Sequence, residues 1–214
     1  RRASICSALR GRREVEDVGR GGQQGFKVWL IAMESLLERG QRFGTLSVEN
    51  LCEAAGISRG TFYLHFQDKG ELVARLMSHI AQEIIDSGGT WFGDAAVAKP
   101  DDLREALVGM VHTFKKHQAI LSAVADLATS DERVGSIYRE LDERLCAQSR
   151  RSLAAVRKKG LTRRGATDHM ADTMCTMIVD HCIRSVGSLD RAGLDHLARS
   201  LGYMGVSAVF AESD

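Results

Sequence analysis

One proline, Pro100, stands in 214 residues, and few β-branched runs alternate with polar positions. A chain with neither the usual helix breaker nor the period-two pattern of strands is predicted to be helical throughout. No run of about 18 apolar residues occurs, which excludes a membrane-spanning helix. No CxxC pair links Cys6, Cys52, Cys146, Cys175 and Cys182. That odd, scattered set excludes a disulfide scaffold and fits a reducing cytoplasm. Neither sign of charge dominates, the formal net charge being +1. A nucleic-acid binder of this balance must concentrate its basic groups locally. The first residue is Arg1 rather than methionine, the pattern of a fragment or a processed chain. The apolar patch at residues 5–9, interrupted by Cys6 and Ser7, is too short and polar for the core of a signal peptide. The length suffices for one large domain or two small ones with a buried core.

Residues 1–25 are rich in arginine (Arg1, Arg2, Arg10, Arg12, Arg13, Arg20) and glycine, without apolar periodicity. They read as a disordered basic arm, either one that tracks DNA phosphates or a solvated tail. From Phe26 the pattern changes: Phe26, Trp29, Leu30, Met33, Leu36 and Leu37 recur at helical spacing, and Gly40 stops the helix. Ser47 is predicted to cap a second helix that buries Val48, Leu51, Cys52 and Ala55. Ser58 caps a short third helix with Phe62 and Phe66 on one face. Asp68 opens a fourth, ended by Gly88 and Gly89, and a short linker leads to Pro100. Beyond it come stripes at Leu103, Leu107, Met110 and Phe114, then at Ile120, Leu121, Val124 and Leu127. A long helix with Val134, Ile137, Tyr138, Leu141, Leu145, Leu153 and Val156 follows. The last two are expected at about 167–187 and 193–210.

The informative stretch is residues 51–66, LCEAAGISRGTFYLHF. A helix, a sharp turn at Gly56 and a capped helix with a polar outer edge make a helix-turn-helix. Phe62 and Phe66 clamp the second helix and leave Arg59, Gly60, Thr61, Tyr63 and His65 for a groove. Arg59 can fork onto guanine O6 and N7, and Thr61 offers a methyl to thymine. Gly60 lets the backbone approach a base edge. Tyr63 and His65 can donate to phosphates, as can Ser47 and Lys69 beside the reader. Charge argues the other way. Over residues 26–86, Lys27, Arg39, Arg42, Arg59, Lys69 and Arg75 face Glu34, Glu38, Glu49, Glu53, Asp68, Glu71, Glu83 and Asp86.

The run AAGISRGTFYLHFQDKGEL resembles the signature of the TetR family of repressors, with its glycine, capping serine, TFY triplet, HF pair and downstream lysine. The resemblance covers about residues 26–86. It implies a homodimer whose third helices enter major grooves while the C-terminal bodies pair and sense a small molecule. By the same resemblance Ser58, Arg59, Gly60, Thr61, Tyr63, His65 and Lys69 fall at DNA-contact positions, and Ser47 at a phosphate contact. Leu64, Glu49 and Gly70 depart from the family pattern, which leaves the operator sequence open. The body resembles, more weakly, the ethionamide-resistance repressor branch, in which an apolar tunnel runs between helices. That likeness implies a tunnel lined here by Leu107, Met110, Phe114, Tyr138, Leu145, Ser149 and Thr176, positions that helical spacing alone would place in a plain core.

The implied fold is all-α: the arm (1–25), a three-helix helix-turn-helix DNA-binding domain (26–70) and a larger helical effector-binding and dimerisation domain (71–214). Met170, Met174, Met177, Ile178, Cys182, Ile183 and Val186 spread over more than one side of the penultimate helix, which therefore needs two partners. The last helix repeats this with Leu194, Leu197, Leu201, Met204 and Ala208 against Val206, Val209 and Phe210. Gly202 and Gly205 permit close helix approach, so a four-helix dimer interface through the last two helices is expected. Cys175, His181 and Cys182 share one helix but do not complete a tetrahedral metal site. His112, His117, His169 and His196 lack nucleophiles at a catalytic spacing. Neither a metal, a cofactor nor an enzyme is expected. The sequence thus points to a cytoplasmic, ligand-responsive regulator, a repressor released from a palindromic double-stranded DNA operator by a small hydrophobic effector, with no membrane partner.

Overall fold

The structure, a computed structural model, describes residues 23–211; the expected arm lies outside them, save for its last three residues. Those three are helical, because the first helix, α1 (Gln23–Glu38), begins ahead of Phe26. A 3-10 turn at Phe43–Thr45 precedes α2 (Val48–Ala55), α3 (Arg59–His65) and α4 (Lys69–Asp86). Then follow α5 (Gly89–Gly93), α6 (Pro100–Lys116), α7 (Gln118–Ala128), α8 (Glu132–Lys158), α9 (Asp168–Ser185) and α10 (Arg191–Val209). Among the described residues the only extended pairing is one antiparallel bridge, Thr162 with Phe210. The described residues divide into two compact units, the first ending at Leu76 and the second beginning at Met77. The break falls inside α4, some residues past the expected 70, since α4 supplies Leu72, Val73 and Leu76 to the first core.

Helix starts follow from capping chemistry. Ser58, Asp131, Thr167 and Asp190 each accept the backbone N–H three residues on, at the heads of α3, α8, α9 and α10. Asp68 does the same for α4, accepting from Glu71 N at 2.9 Å. Pro100 occupies the first position of α6, with Asp101 and Asp102 behind it and Lys115 and Lys116 at the far end, where the helix dipole wants them.

In the second unit α10 lies along α6, and α9 along α8; α7 packs on α8 and α9. Gly202 and Gly205 face α6, not a partner molecule. A Cβ at 202 would stand 3.3 Å from Arg104 Cγ, and one at 205 would stand 3.3 Å from Leu107 Cδ1. The close approach read from these glycines is therefore spent within the chain. The buried row of α10 is Leu194, Ala198, Leu201, Gly202, Gly205 and Val209, while Met204, expected beside Leu201, is exposed.

A second correction concerns the linker after α4. Gly89 takes a left-handed φ of 50° and starts the five-residue α5, which buries Trp91 and Phe92. Ser152 Oγ donates to Trp91 O at 2.7 Å and Gln148 Nε2 to Phe92 O at 2.6 Å, fastening α5 to α8. His117, which has no catalytic partner at a recognisable spacing in the sequence, is wholly buried, with Nε2 2.9 Å from Glu83 Oε2. Lys116 Nζ reaches the same oxygen at 2.6 Å, and His79 Nε2 lies 3.0 Å from Oε1. Burial works to raise the Glu83 carboxyl, but the hydrogen bonds from Lys116 and His117 prevail and bring it down to about 2.

Candidate nucleic-acid interface and effector cavity

The first unit is built around four rings. Trp29 of α1 meets Phe62 and Phe66 edge-on at 5.4 and 5.8 Å, and Phe26 meets Phe66 at 6.2 Å. Phe62 is fully buried. Burying such a ring contributes about 1.5–3 kcal/mol, and edge-on pairing adds about 0.5–1.5 kcal/mol per pair. The clamp read from the sequence is therefore a four-ring cluster that fixes α3 on α1. Turn geometry sets the angle of α3 to α2. Gly56 adopts φ 67°, and the N–H groups of Gly56 and Ile57 close on the carbonyls of Glu53 and Cys52 at 3.2 and 2.9 Å.

With one face of α3 spent on those rings, the opposite edge is open. Arg59, Gly60, Tyr63 and Leu64 are exposed; Thr61 and His65 are half-buried. Arg59 Nη1 is 4.0 Å from Glu49 Oε2, both side chains mostly in solvent, so the guanidinium is only loosely held. Thr61 Oγ1 shares a hydrogen with Ser58 Oγ at 2.9 Å. A Cβ at Gly60 would meet nothing nearer than Ser58 Oγ, at 3.7 Å, an ordinary contact. Ser47, at the head of α2, forms a reciprocal box with Asn50: its Oγ accepts from Asn50 N at 3.1 Å, and its backbone N donates to Asn50 Oδ1 at 3.0 Å.

Lys69 does something the sequence did not disclose. Its ammonium donates to the carbonyls of Phe43 (3.1 Å), Gly44 (3.5 Å) and Leu46 (2.9 Å), and sits 4.9 Å from the Phe43 ring. These contacts use the three donors of an ammonium on the turn that leads into α2. The phosphate contact expected of Lys69 thus competes with a clamp that positions Ser47.

In the second unit an apolar pocket of about 60 Å³, partly open to solvent, is lined by residues of α5, α6, α8, α9 and α10. Leu107, Met110 and Ser149, three of the expected tunnel residues, line it. Phe114 and Leu145 are solid core, fully buried. Tyr138 belongs to a separate groove with Asp126, Arg139, Asp180 and Arg184. Thr176 donates to Asp142 Oδ2 at 3.2 Å. The remaining walls, among them Trp91, Phe92, Leu103, Leu153, Met174 and Cys175, were not read from sequence. Trp91 and Phe92, side by side in a supposed linker, were the signal for the missing wall. A hydrogen bond with Cys146, and then burial, hold the Cys175 thiol protonated. Among the described residues no group of histidine, cysteine and carboxylate side chains is disposed to hold a metal, and no helix is long and apolar enough to cross a membrane.

A capped reader helix on an aromatic cluster, joined by a continuous helix to an all-α body with an apolar cavity, defines a helix-turn-helix protein with a separate helical domain. Comparison narrows this. Residues 32–76 match the model of the family described as bacterial regulatory proteins, tetR family. The HTH-type transcriptional regulator EthR of Mycolicibacterium smegmatis is 27% identical over 162 residues, spanning 74% of this chain and 71% of that protein. A TetR-family transcriptional regulator from Syntrophomonas wolfei superposes with a TM-score of 0.70 at 16% identity, over 88% of this chain and 97% of that one. SmeT, the repressor of the Stenotrophomonas maltophilia multidrug efflux pump SmeDEF, gives 0.68 at 16% identity, over 92% and 94%. Residues 32–76 are thus similar to the DNA-binding part of the tetR family, and the chain as a whole bears a distant likeness to EthR.

Proposed function

We propose that this chain is a ligand-responsive transcriptional repressor that binds a palindromic operator as a homodimer and leaves it when a small apolar effector occupies the cavity. The observation that carries DNA reading is the split of α3: Phe62 and Phe66 buried, Gly60 and Leu64 exposed on the far side, and Arg59 and Tyr63 exposed along the flank. That edge makes only peripheral contacts in its own unit, Tyr63 edge-on to the Phe62 ring and Arg59 near Glu49, and its residue types suit a major groove. Arg59 supplies a guanine fork, Tyr63 and His65 phosphate contacts, and the capped start of α2 at Ser47 a phosphate seat. Repression follows the likeness to SmeT, a repressor by its own description.

Dimerisation through α9 and α10 is supported by what those helices leave in solvent. Met177 is 56% exposed, Tyr203 73% and Met204 50%. Met177 and Met204 line one groove along α9 and α10 with Leu197 and Leu201, and such an exposed apolar face calls for a second copy of the chain. Two readers in a two-fold dimer imply half-sites about 34–36 Å apart. The effector reading rests on the cavity and its apolar walls, in which Ser149 offers a hydroxyl.

Selection from a pool of random palindromic duplexes tests the reading directly. A single enriched inverted repeat, bound with one dimer per repeat, is expected. A dimer that enriches no duplex at low salt would end the proposal. Titration of the enriched complex with medium-chain apolar esters and amides tests release; operator affinity that stays constant at saturating cavity ligand removes the switch.

A further inference from the structure

We propose that Leu64 is a specificity-determining residue of α3, making an apolar contact with the 5-methyl group of a thymine in each half-site. This rests on the DNA-reading role of α3 proposed above. Leu64 is 81% exposed, more than any other large hydrophobic side chain among the described residues. A lone exposed leucine needs no explanation; its position on this helix does. At about 100° per residue, Leu64 lies about 160° around α3 from both Phe62 and Phe66, which places it at the middle of the outward face. Gly60 is one turn earlier on the same ridge. A helical side chain leans toward the N-terminus over the residues three and four before it. Leu64 therefore leans toward a glycine, and the described residues leave it largely uncovered. Arg59 and Tyr63 border that ridge on one side, Thr61 and His65 on the other.

The chemistry of the groove then selects the base. Leucine has no donor or acceptor, so it cannot read the O6 and N7 of guanine or the N6 and N7 of adenine. Thymine alone presents a methyl group there. Thr61, whose methyl is also expected to reach a thymine, stands on the flank of that face and Leu64 at its middle. Thr61 is half-buried, and its hydroxyl is engaged with Ser58 at 2.9 Å. A polar groove edge opposite Leu64 would lose its water without compensation, so the same side chain also acts against the other bases.

The test uses the full chain and the inverted repeat enriched from the random duplex pool. Each thymine is replaced in turn, symmetrically, by deoxyuridine, which removes only the methyl. One position is expected to weaken wild-type binding about fourfold per half-site, the worth of one buried methyl-sized group. In Leu64→Ala that position becomes insensitive, while every other position keeps its response; Leu64→Met retains it. The substitution touches a solvent-exposed side chain, so unchanged helicity by circular dichroism is expected and serves as the control. A flat deoxyuridine scan overturns the proposal. So does a methyl-sensitive position that stays equally sensitive in Leu64→Ala, or a uniform loss across all operator variants, which would mark a backbone contact. Failure to enrich any duplex is a different result: it removes the DNA-reading role itself, and the Leu64 contact with it.

Discussion

Replacing Gly60 by alanine is expected to stabilise the first unit and weaken DNA binding, two effects of opposite sign from one methyl group. Glycine within a helix costs about 0.5–1 kcal/mol relative to alanine, largely through the freedom of the unfolded chain. Gly60 is the second residue of α3, so the lower figure applies. Nothing in the unit claims the missing side chain: its φ is not left-handed, and a Cβ would sit 3.7 Å from Ser58 Oγ, an ordinary contact. The expected gain is therefore about 0.5 kcal/mol, without steric loss. If the backbone at 60 lies against a base edge or phosphate, the added methyl has no room, and overpacking costs about 1–3 kcal/mol, or about 5- to 150-fold in affinity. Hydrogen exchange of the α2 and α3 amides reads the first effect, and fluorescence anisotropy with the enriched operator reads the second. Slower exchange with wild-type affinity would show that no close approach occurs at 60. Faster exchange would show that the glycine serves the fold.

The other expectations can be checked without DNA, or alongside it. Glu83→Gln removes a carboxylate whose pKa is depressed from 4.5 to about 2. A depressed carboxyl stabilises above its unfolded pKa and loses that contribution as pH falls through the folded one. The variant should therefore be about 3 kcal/mol less stable at pH 7, with the gap closing between pH 4.5 and 2 in denaturant melts; a gap independent of pH refutes the linkage. Gly109→Ala drives a Cβ against the backbone oxygen of Ser87, and a loss of about 1–3 kcal/mol in thermal melts is expected, since backbone cannot swing aside. Lys69→Met should lower the stability of the first unit by about 1.5–3 kcal/mol through loss of its charged hydrogen bonds to the carbonyls of Phe43, Gly44 and Leu46. A purely phosphate-binding lysine would instead flatten the salt dependence of DNA binding with stability untouched.

Much of the reader was legible in the sequence because its determinants are local. Ser47 and Asn50, Ser58 and Thr61, Asp68 and Glu71 are each three residues apart, and the Phe62–Phe66 pair is one turn apart. Such spacings are fixed by helix geometry, so residue types alone disclose them. The clamp on Lys69 was not legible, because its acceptors lie 23 to 26 residues away around a turn. The Glu83 cluster was hidden for the same reason, with Lys116 and His117 33 and 34 residues on. Helix α5 is shorter than two turns and flanked by glycines, which read as punctuation, not structure. For Leu107 and Phe114 the sequence supplied an apolar stripe and nothing more. Whether a stripe faces a cavity or solid core depends on what stands opposite, and periodicity carries no information on that. Gly202 and Gly205 teach the same lesson: small residues announce a close approach without naming the neighbour.

The size of the cavity constrains how an effector can act. About 60 Å³ is room for roughly two waters, whereas drug-sized ligands occupy about 300–1,000 Å³. On the proposed reading, a drug-sized effector held wholly within this pocket has to displace a wall. The long helices α6, α8, α9 and α10 bury continuous rows of side chains and resist movement as units. α5 is different: five residues, a left-handed glycine at its start, and two hydrogen bonds from Gln148 and Ser152 to its carbonyls. It is the wall that yields at least cost. α5 also follows α4 with only Ser87 and Gly88 between them, so a ligand that moves Trp91 and Phe92 acts on the end of a helix whose other end carries Lys69 and the turn before Ser47. The coupling such a route can transmit is bounded by the ligand's preference for the displaced wall over the closed one. Effectors should accordingly be ranked in releasing operator by how much of Trp91 and Phe92 they displace, not by affinity alone.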